Sequence, residues 1–123
     1  MAKTWLMLGA LFGGLAVALG AFGAHALKNS LSVYAQDIYN KAVLYQMWHA
    51  LALLAVGLLQ QWQPPLNVNP SGWLFTAGIV LFSGSLYILA ITGATFFGMI
   101  TPFGGAAFMA GWLWLLLKVW KGL

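Results

Sequence analysis

The longest stretch without charge constrains this chain more than any other feature. From Ala42 to Leu117 there is no lysine, arginine, aspartate or glutamate, and residues 4–27 are also uncharged. Only 5% of the 123 residues are charged and 63% are hydrophobic, whereas soluble domains contain roughly 25% charged residues. A chain of this size has too little interior to bury so much apolar surface. The composition therefore excludes a soluble domain and predicts an integral membrane protein.

Two breaks divide the longer stretch into membrane-spanning segments. Residues 64–70 contain three prolines and two asparagines, which favour turns. Residues 93–102 contain two glycines and a proline. A hydrocarbon core of about 30 Å needs roughly 20 helical residues, and backbone in lipid must satisfy its own hydrogen bonds. The sequence predicts an all-α bundle of four transmembrane helices, one domain over 1–123, with spans at about 4–27, 43–62, 71–93 and 103–121.

The first span has one alternative interpretation. Lys3, an apolar run and the tripeptide Ala24-His25-Ala26 resemble a secretory signal peptide with its cleavage site. The apolar core of a signal peptide is about 7–15 residues long, and this run is longer. We expect a retained helix.

Four spans bring both termini to one side of the membrane. That side holds Lys3, Lys118 and Lys121, and the opposite side holds Lys28 and Lys41. Lysine is enriched in cytoplasmic segments. The excess of one lysine favours cytoplasmic termini in a multi-pass protein of the bacterial inner membrane.

Aromatic residues at the span ends support the count of four. Tryptophan and tyrosine concentrate at membrane interfaces, and one tryptophan lies at the terminal-side end of each predicted span. These are Trp5, Trp62, Trp73 and Trp120. A second belt is predicted on the far side, formed by Tyr34, Tyr39, Tyr45, Phe96, Phe97 and Phe103.

The segment from Lys28 to Lys41 is the only one with soluble character. Ser30 or Ser32 is suited to cap a helix there, and apolar residues then recur at helical spacing. Asp37 and Lys41 are four residues apart, as in a favourable helical ion pair. We expect a short interfacial helix between the first and second spans, with a gate or partner-docking helix as the alternative.

Small residues indicate where helices pack closely. Gly9 and Gly13 form a GxxxG pattern, Gly20 continues the first span, and Ala107 and Gly111 repeat the spacing in the fourth. Such residues let helix backbones approach in lipid. They serve packing within the chain or contact with a homo-oligomer or membrane-complex partner. An adjacent stripe in the first span consists of Ala10, Gly14 and Ala18.

The few polar side chains of the spans are predicted to lie toward the side away from the termini. Polar groups in a membrane usually face the bundle interior and often mark function. We expect His25 and His49 to face each other's neighbourhood, with Tyr87 and Thr101 close by. The arrangement either fixes packing or forms the floor of a shallow pocket. The candidate cluster comprises His25, Tyr45, His49, Ser83, Ser85, Tyr87 and Thr101.

These residues support little chemistry. There is no cysteine, so thiolate metal sites and cysteine nucleophiles are excluded. A site of His25, His49 and Asp37 would need Asp37 to leave the headgroup region, and a haem between the histidines would need equal depths. No elbow motif surrounds Ser83-Gly84-Ser85, and no basic cluster indicates nucleic acid. We expect no catalytic residue, metal, cofactor or nucleic-acid partner.

Four motifs carry a resemblance to a known family. They are LGAFGAHAL at 19–27, YQMWHALA at 45–52, LFSGSLY at 81–87 and ITPFGG at 100–105. Their order and spacing over essentially the whole chain resemble the YgdD-like small inner-membrane proteins, with Phe103 where a smaller residue is expected. The resemblance implies a four-span bacterial membrane protein of unknown function, and its motif residues fall on the candidate cluster and Pro102.

Three functional classes remain. The first is a non-catalytic membrane protein that packs with itself or with a larger membrane complex. The second is a small-solute or ion transporter or channel that uses the polar cluster and the glycine-flexible start of the fourth span. The third is a membrane enzyme or cofactor carrier.

Overall fold

The computed structural model describes residues 1–123 and is entirely helical. Four helical segments are long and apolar enough to cross a membrane, as predicted. We number the helices α1 (Ala2–His25), α2 (Val33–Trp62), α3 (Asn69–Thr92) and α4 (Thr101–Gly122). Short 3₁₀ turns, Pro64–Leu66 and Thr95–Met99, precede α3 and α4.

Helix α2 is longer than the predicted second span. It begins at Val33 and runs without interruption for 30 residues. The hydroxyl of Ser32 accepts a hydrogen bond of 3.1 Å from the backbone N–H of Ala35 and so caps the helix. The short helix expected before the second span is therefore the first part of α2 and not a separate element. On its exposed face Lys41 Nζ lies 3.1 Å from Asp37 Oδ2.

Helix α3 contains a local change of helical pitch. Its α-helical ends, Asn69–Gly78 and Gly84–Thr92, are joined by a π-helical segment, Ile79–Ser83. Here the N–H of Gly84 bonds the carbonyl of Ile79, five residues earlier. The helix ends at Gly93, whose φ of 71° suits glycine.

The helices alternate in direction, so the start of α1 and the end of α4 lie at one end of the bundle, here called the terminal end. The opposite end, with the turns after α1 and α3, is called the far end. Helix α2 occupies the middle, with α1 along one side and α3 along another, and α4 packs mainly on α3. Helices α1 and α4 are consequently the least buried of the four.

Glycines bring two helix pairs into backbone contact. Between α1 and α2, a methyl group added to Gly9 would overlap the carbonyl of Ala50, and one added to Gly57 would overlap Leu6. Between α3 and α4, one added to Gly104 would overlap the backbone of Phe82. We call these two contacts the glycine seams. Gly13 and Gly20 also face α2, Gly111 faces α3, and Ala107 is half-buried on α4.

The belt prediction is wrong for two aromatic residues. Trp5 is completely buried, and its indole N–H donates to Asn69 Oδ1 over 2.8 Å. Tyr39 is also buried, with its ring over Gly23. Both rings fill space that a glycine on a neighbouring helix leaves open. The exposed members are Trp62, Trp73 and Trp120 at the terminal end and Tyr34, Phe96 and Phe103 at the far end, while Tyr45 and Phe97 are half-buried.

Candidate functional site

His49 is the one titratable side chain buried among aromatic rings between α2 and α4. Its Nδ1 lies 2.7 Å from the carbonyl oxygen of Tyr45, and its Nε2 lies 3.0 Å from the indole Nε1 of Trp112. A carbonyl only accepts and an indole N–H only donates. His49 is therefore the neutral tautomer that carries its proton on Nδ1, and both nitrogens are occupied.

The His49 ring also determines the spacing between α2 and α4. It stacks on Phe108 of α4 with ring centroids 3.6 Å apart and planes 10° apart. Because rings rather than glycines join these two helices, a groove of about 640 Å³ remains between them. The groove is lined mainly by aromatic residues, among them Tyr45, Trp48, Phe82 and Trp112.

Gln46 links α1, α2 and α3 through one side chain. Its amide nitrogen donates to the carbonyl of Phe12 over 2.9 Å. Its amide oxygen accepts from the hydroxyl of Tyr87 over 2.7 Å. Nearby, the hydroxyl of buried Tyr39 donates to the carbonyl of Leu19 in α1. Gln46 was missed from sequence, although a glutamine within an uncharged span is itself the signal that could have found it.

The serines of α3 bind the helices on either side. Ser83, at the end of the π segment, donates to the carbonyl of Ala42 in α2 over 2.7 Å. The hydroxyls of Ser85 and Thr101 lie 2.6 Å apart and join α3 to α4. Thr101 also donates to the carbonyl of Phe97 over 3.2 Å. These contacts join α3 to both of its neighbours.

The predicted single cluster is therefore divided among several helix contacts. His49 pairs with Trp112, Tyr87 with Gln46, and Ser85 with Thr101. His25 is exposed in the last turn of α1, so the expectation that it faces His49 inside the bundle is wrong. His25 is the last residue of α1, and a polar ring at the end of a span can be satisfied by water at the membrane interface.

The terminal half of the bundle is richer in polar contacts than the sequence suggested. Gln60 donates to the carbonyl of Pro64 over 2.9 Å and accepts from the N–H of Val68 over 2.8 Å. It thus holds the turn between α2 and α3. Ser71 donates to the carbonyl of Gly111 over 2.7 Å across the glycine seam of α3 and α4. Sequence reasoning missed both residues.

Both ring nitrogens of His49 are engaged in hydrogen bonds. The Nε2 lone pair of His49 already accepts from Trp112, so the ring has none free for a metal. Asp37 lies twelve residues away along α2, which is roughly 18 Å of helix, and pairs with Lys41. The geometry does not bring together His25, His49 and Asp37.

Comparisons with known proteins give a family without a known activity. A family model described as a protein of unknown function, DUF423, matches residues 19–105. The UPF0382 membrane protein SSP2132 of Staphylococcus saprophyticus is 50% identical over 119 residues, covering 97% of this chain and 98% of that protein. The UPF0382 membrane protein YwdK of Bacillus subtilis is 43% identical over 122 residues, covering 98% and 99%.

No solved structure matches this chain. The relatives' printed names state a membrane protein and no activity. Both the family model and the relatives cover most of the chain, including every motif quoted above. This chain therefore belongs to the DUF423 family of membrane proteins of unknown function.

Proposed function

We propose that the protein is a non-catalytic component of the bacterial inner membrane that packs with copies of itself or with a larger membrane complex. The observation that carries this proposal is the use of the internal polar side chains. Tyr39, Gln46, Ser71 and Ser83 each donate to a backbone carbonyl of another helix. Groups engaged in this way position helices and are not free to bind or transform a substrate.

The outer face of α1 supports packing with further helices. Ala10, Gly14 and Ala18 are exposed, and nothing lies within 4 Å of a methyl group built on Gly14. Helices associate in lipid where small residues permit close backbone approach. This face of α1 is therefore where two copies of the chain would pack against each other.

The test compares two alanine-to-leucine variants at exposed positions of different helices. We expect Ala18→Leu on α1 to lower the dimer fraction about tenfold in energy-transfer measurements between labelled copies in liposomes, since bulk there separates the helices. Ala55→Leu on α2 is the matched control and leaves the dimer fraction unchanged. Wild-type protein that stays monomeric at every protein-to-lipid ratio would contradict self-association.

The histidines provide a second test of the non-catalytic assignment. Substitution of both His25 and His49 by glutamine is expected to leave assembly intact in the same measurement. A stable double variant that assembles normally but fails to complement the deletion strain would point to histidine chemistry instead.

Orientation is the remaining part of the proposal. Lys3, Lys118 and Lys121 support cytoplasmic termini, and the motif resemblance to the YgdD-like proteins supports the inner membrane. Green fluorescent protein fused after Leu123 is expected to fluoresce, whereas an alkaline phosphatase fusion at that position is expected to be inactive. The reverse pattern would invert the orientation.

Transport is the weaker candidate. A transporter would use the polar residues as a path, but Tyr87, Ser85 and Thr101 are bonded in separate pairs, and the groove beside His49 has a mainly apolar lining. Flux of an ion or small solute into reconstituted vesicles, abolished by Tyr87→Phe and unaffected by Tyr34→Phe, would overturn the non-catalytic proposal.

A further inference from the structure

A small basic pocket lies at the terminal end, between the turn that joins α2 to α3 and the last turn of α4. Its volume is about 330 Å³. Two ammonium groups and one side-chain amide provide its polar donors, and buried Leu66 forms an apolar wall. The lining residues are Gln63, Pro65, Leu66, Lys118, Lys121 and Gly122.

The fold holds these groups together by direct packing. Leu66, at the end of the Pro64–Leu66 turn, lies so close to Gly122 that a methyl group added there would overlap it. Gln60 fixes the same turn through its bonds to Pro64 and Val68. The pocket is therefore framed by two restrained backbone segments.

The positive charge of the pocket has no side-chain counter-ion. Asp37 is the only acidic side chain in the sequence, and it pairs with Lys41 beyond the far end. Within the structure this is the only ion pair. Lys118 lies 4.8 Å from the ring centroid of Trp114, a contact that orients the ammonium without neutralising it.

The depth of the pocket matches the headgroup region of a bilayer. Exposed Trp62, Trp73 and Trp120 lie at the same end of the bundle, and such residues concentrate at the membrane interface. Basic pockets between membrane helices recognise anionic lipid headgroups. A lipid in this leaflet brings its phosphate to the pocket while its chains remain in the hydrocarbon.

From this charge complementarity we propose that the pocket of Lys118, Lys121 and Gln63 binds the phosphate headgroup of an anionic phospholipid. The two ammonium groups attract the phosphate, and the amide N–H of Gln63 donates to one of its oxygens. The apolar wall at Leu66 lies beside the upper part of the acyl chains. This inference is independent of the proposed assembly function.

The experiment measures phosphatidylglycerol binding to the purified full chain by native mass spectrometry in detergent. Each lysine near an anionic lipid contributes roughly a fivefold gain in affinity. The double variant Lys118→Gln/Lys121→Gln is therefore expected to bind phosphatidylglycerol more than tenfold more weakly. The matched control Lys3→Gln/Lys28→Gln removes equal charge outside the pocket and is expected to change affinity less than threefold.

Two further arms separate the lipid from other anions and from non-specific adsorption. Phosphatidylcholine titrated in the same way is expected to bind at least tenfold more weakly than phosphatidylglycerol. Inorganic phosphate at millimolar concentration is expected not to displace the bound lipid. Equal losses in the two double variants, equal binding of both lipids, or displacement by inorganic phosphate would each overturn the proposal.

Discussion

The glycine seams and the contact between α2 and α4 hold neighbouring helices at different distances. At the seams, Gly9, Gly57 and Gly104 let one helix lie directly on the next. Between α2 and α4, the rings of His49 and Phe108 stack and keep the backbones apart. The first arrangement leaves no space, and the second leaves the groove.

The difference shows what holds a helix bundle together in lipid. Lipid chains are as apolar as the interior, so helices gain little by hiding apolar surface. Close packing and hydrogen bonds must supply the stability, and both depend on individual residues. A side chain added at a glycine seam would overlap the backbone of the next helix. Removing a ring between α2 and α4 instead leaves a space into which the neighbouring side chains can move.

Gly104→Leu is expected to have the largest effect. Its side chain would occupy the position of the Phe82 backbone, which separates α3 from α4. We expect a loss of more than about 4 kcal/mol, enough to prevent folding. Gly105→Leu is the control, since a methyl group there lies an ordinary 3.9 Å from Phe82. Thermal unfolding in detergent, followed by tryptophan fluorescence, compares the two variants. A Gly104→Leu protein as stable as the wild type would contradict the close backbone contact between α3 and α4.

His49→Ala tests the contact between α2 and α4, where the ring of His49 stacks on that of Phe108. Removing the imidazole leaves a cavity against Phe108 and deprives the Trp112 indole of its acceptor. We expect a loss of about 2–4 kcal/mol, within the range for a large buried side chain replaced by alanine. His25→Ala makes the same substitution at an exposed site and should change the unfolding temperature little. Equal effects of the two would mean that His49 does not support α4.

Tyr87→Phe isolates one hydrogen bond at the contact of α2 with α3. The variant keeps the ring and leaves the Gln46 amide oxygen without its donor. A loss of about 1 kcal/mol is expected, typical of a hydrogen bond between membrane helices. Tyr34→Phe, at a side chain that is 68% exposed, serves as the reference in the same unfolding measurement. Equal stability of the Tyr87→Phe and Tyr34→Phe variants would show that the hydrogen bond between Tyr87 and Gln46 does not stabilise the fold.

Asp37→Asn should have the smallest effect. The ion pair with Lys41 is exposed on both sides, and such i,i+4 pairs contribute less than about 0.5 kcal/mol. The small difference from the wild type should vanish when unfolding is measured in 1 M salt, because salt screens the attraction. A salt-independent loss of several degrees would show a role for Asp37 beyond this pair.

The number of spans could be predicted from sequence because it depends on length and charge, which the uncharged stretches display directly. The direction in which each side chain points could not. In a soluble protein polar residues mark the outside of a helix, but here both faces are apolar. Trp5 was therefore assigned to the interface although it is buried, and His25 to the interior although it is exposed.

Contacts between helices were predictable only where residue size reveals them. Gly9, Gly13 and Gly111 were assigned to packing from their spacing, and each faces another helix in the structure. The partner of each glycine, and the rings of Trp5 and Tyr39 that fill two of the gaps, depend on how the helices are arranged. The π segment of α3 likewise has no signature in the sequence that marks its five residues.

The uninterrupted length of α2 carries one continuous helix from the far end of the bundle to the terminal end. From Ala42 to Trp62 it covers roughly 31 Å at about 1.5 Å per residue, close to the hydrocarbon thickness of about 30 Å. Its first turns extend the same helix beyond this length, and their Ile38 and Tyr39 are buried in one cluster with Leu86 and Ala90 of α3. A bilayer thinner than this length can be matched by a tilt of the helices. Because α2 is continuous, such a tilt would carry the Asp37–Lys41 pair along with the membrane-spanning part of the helix.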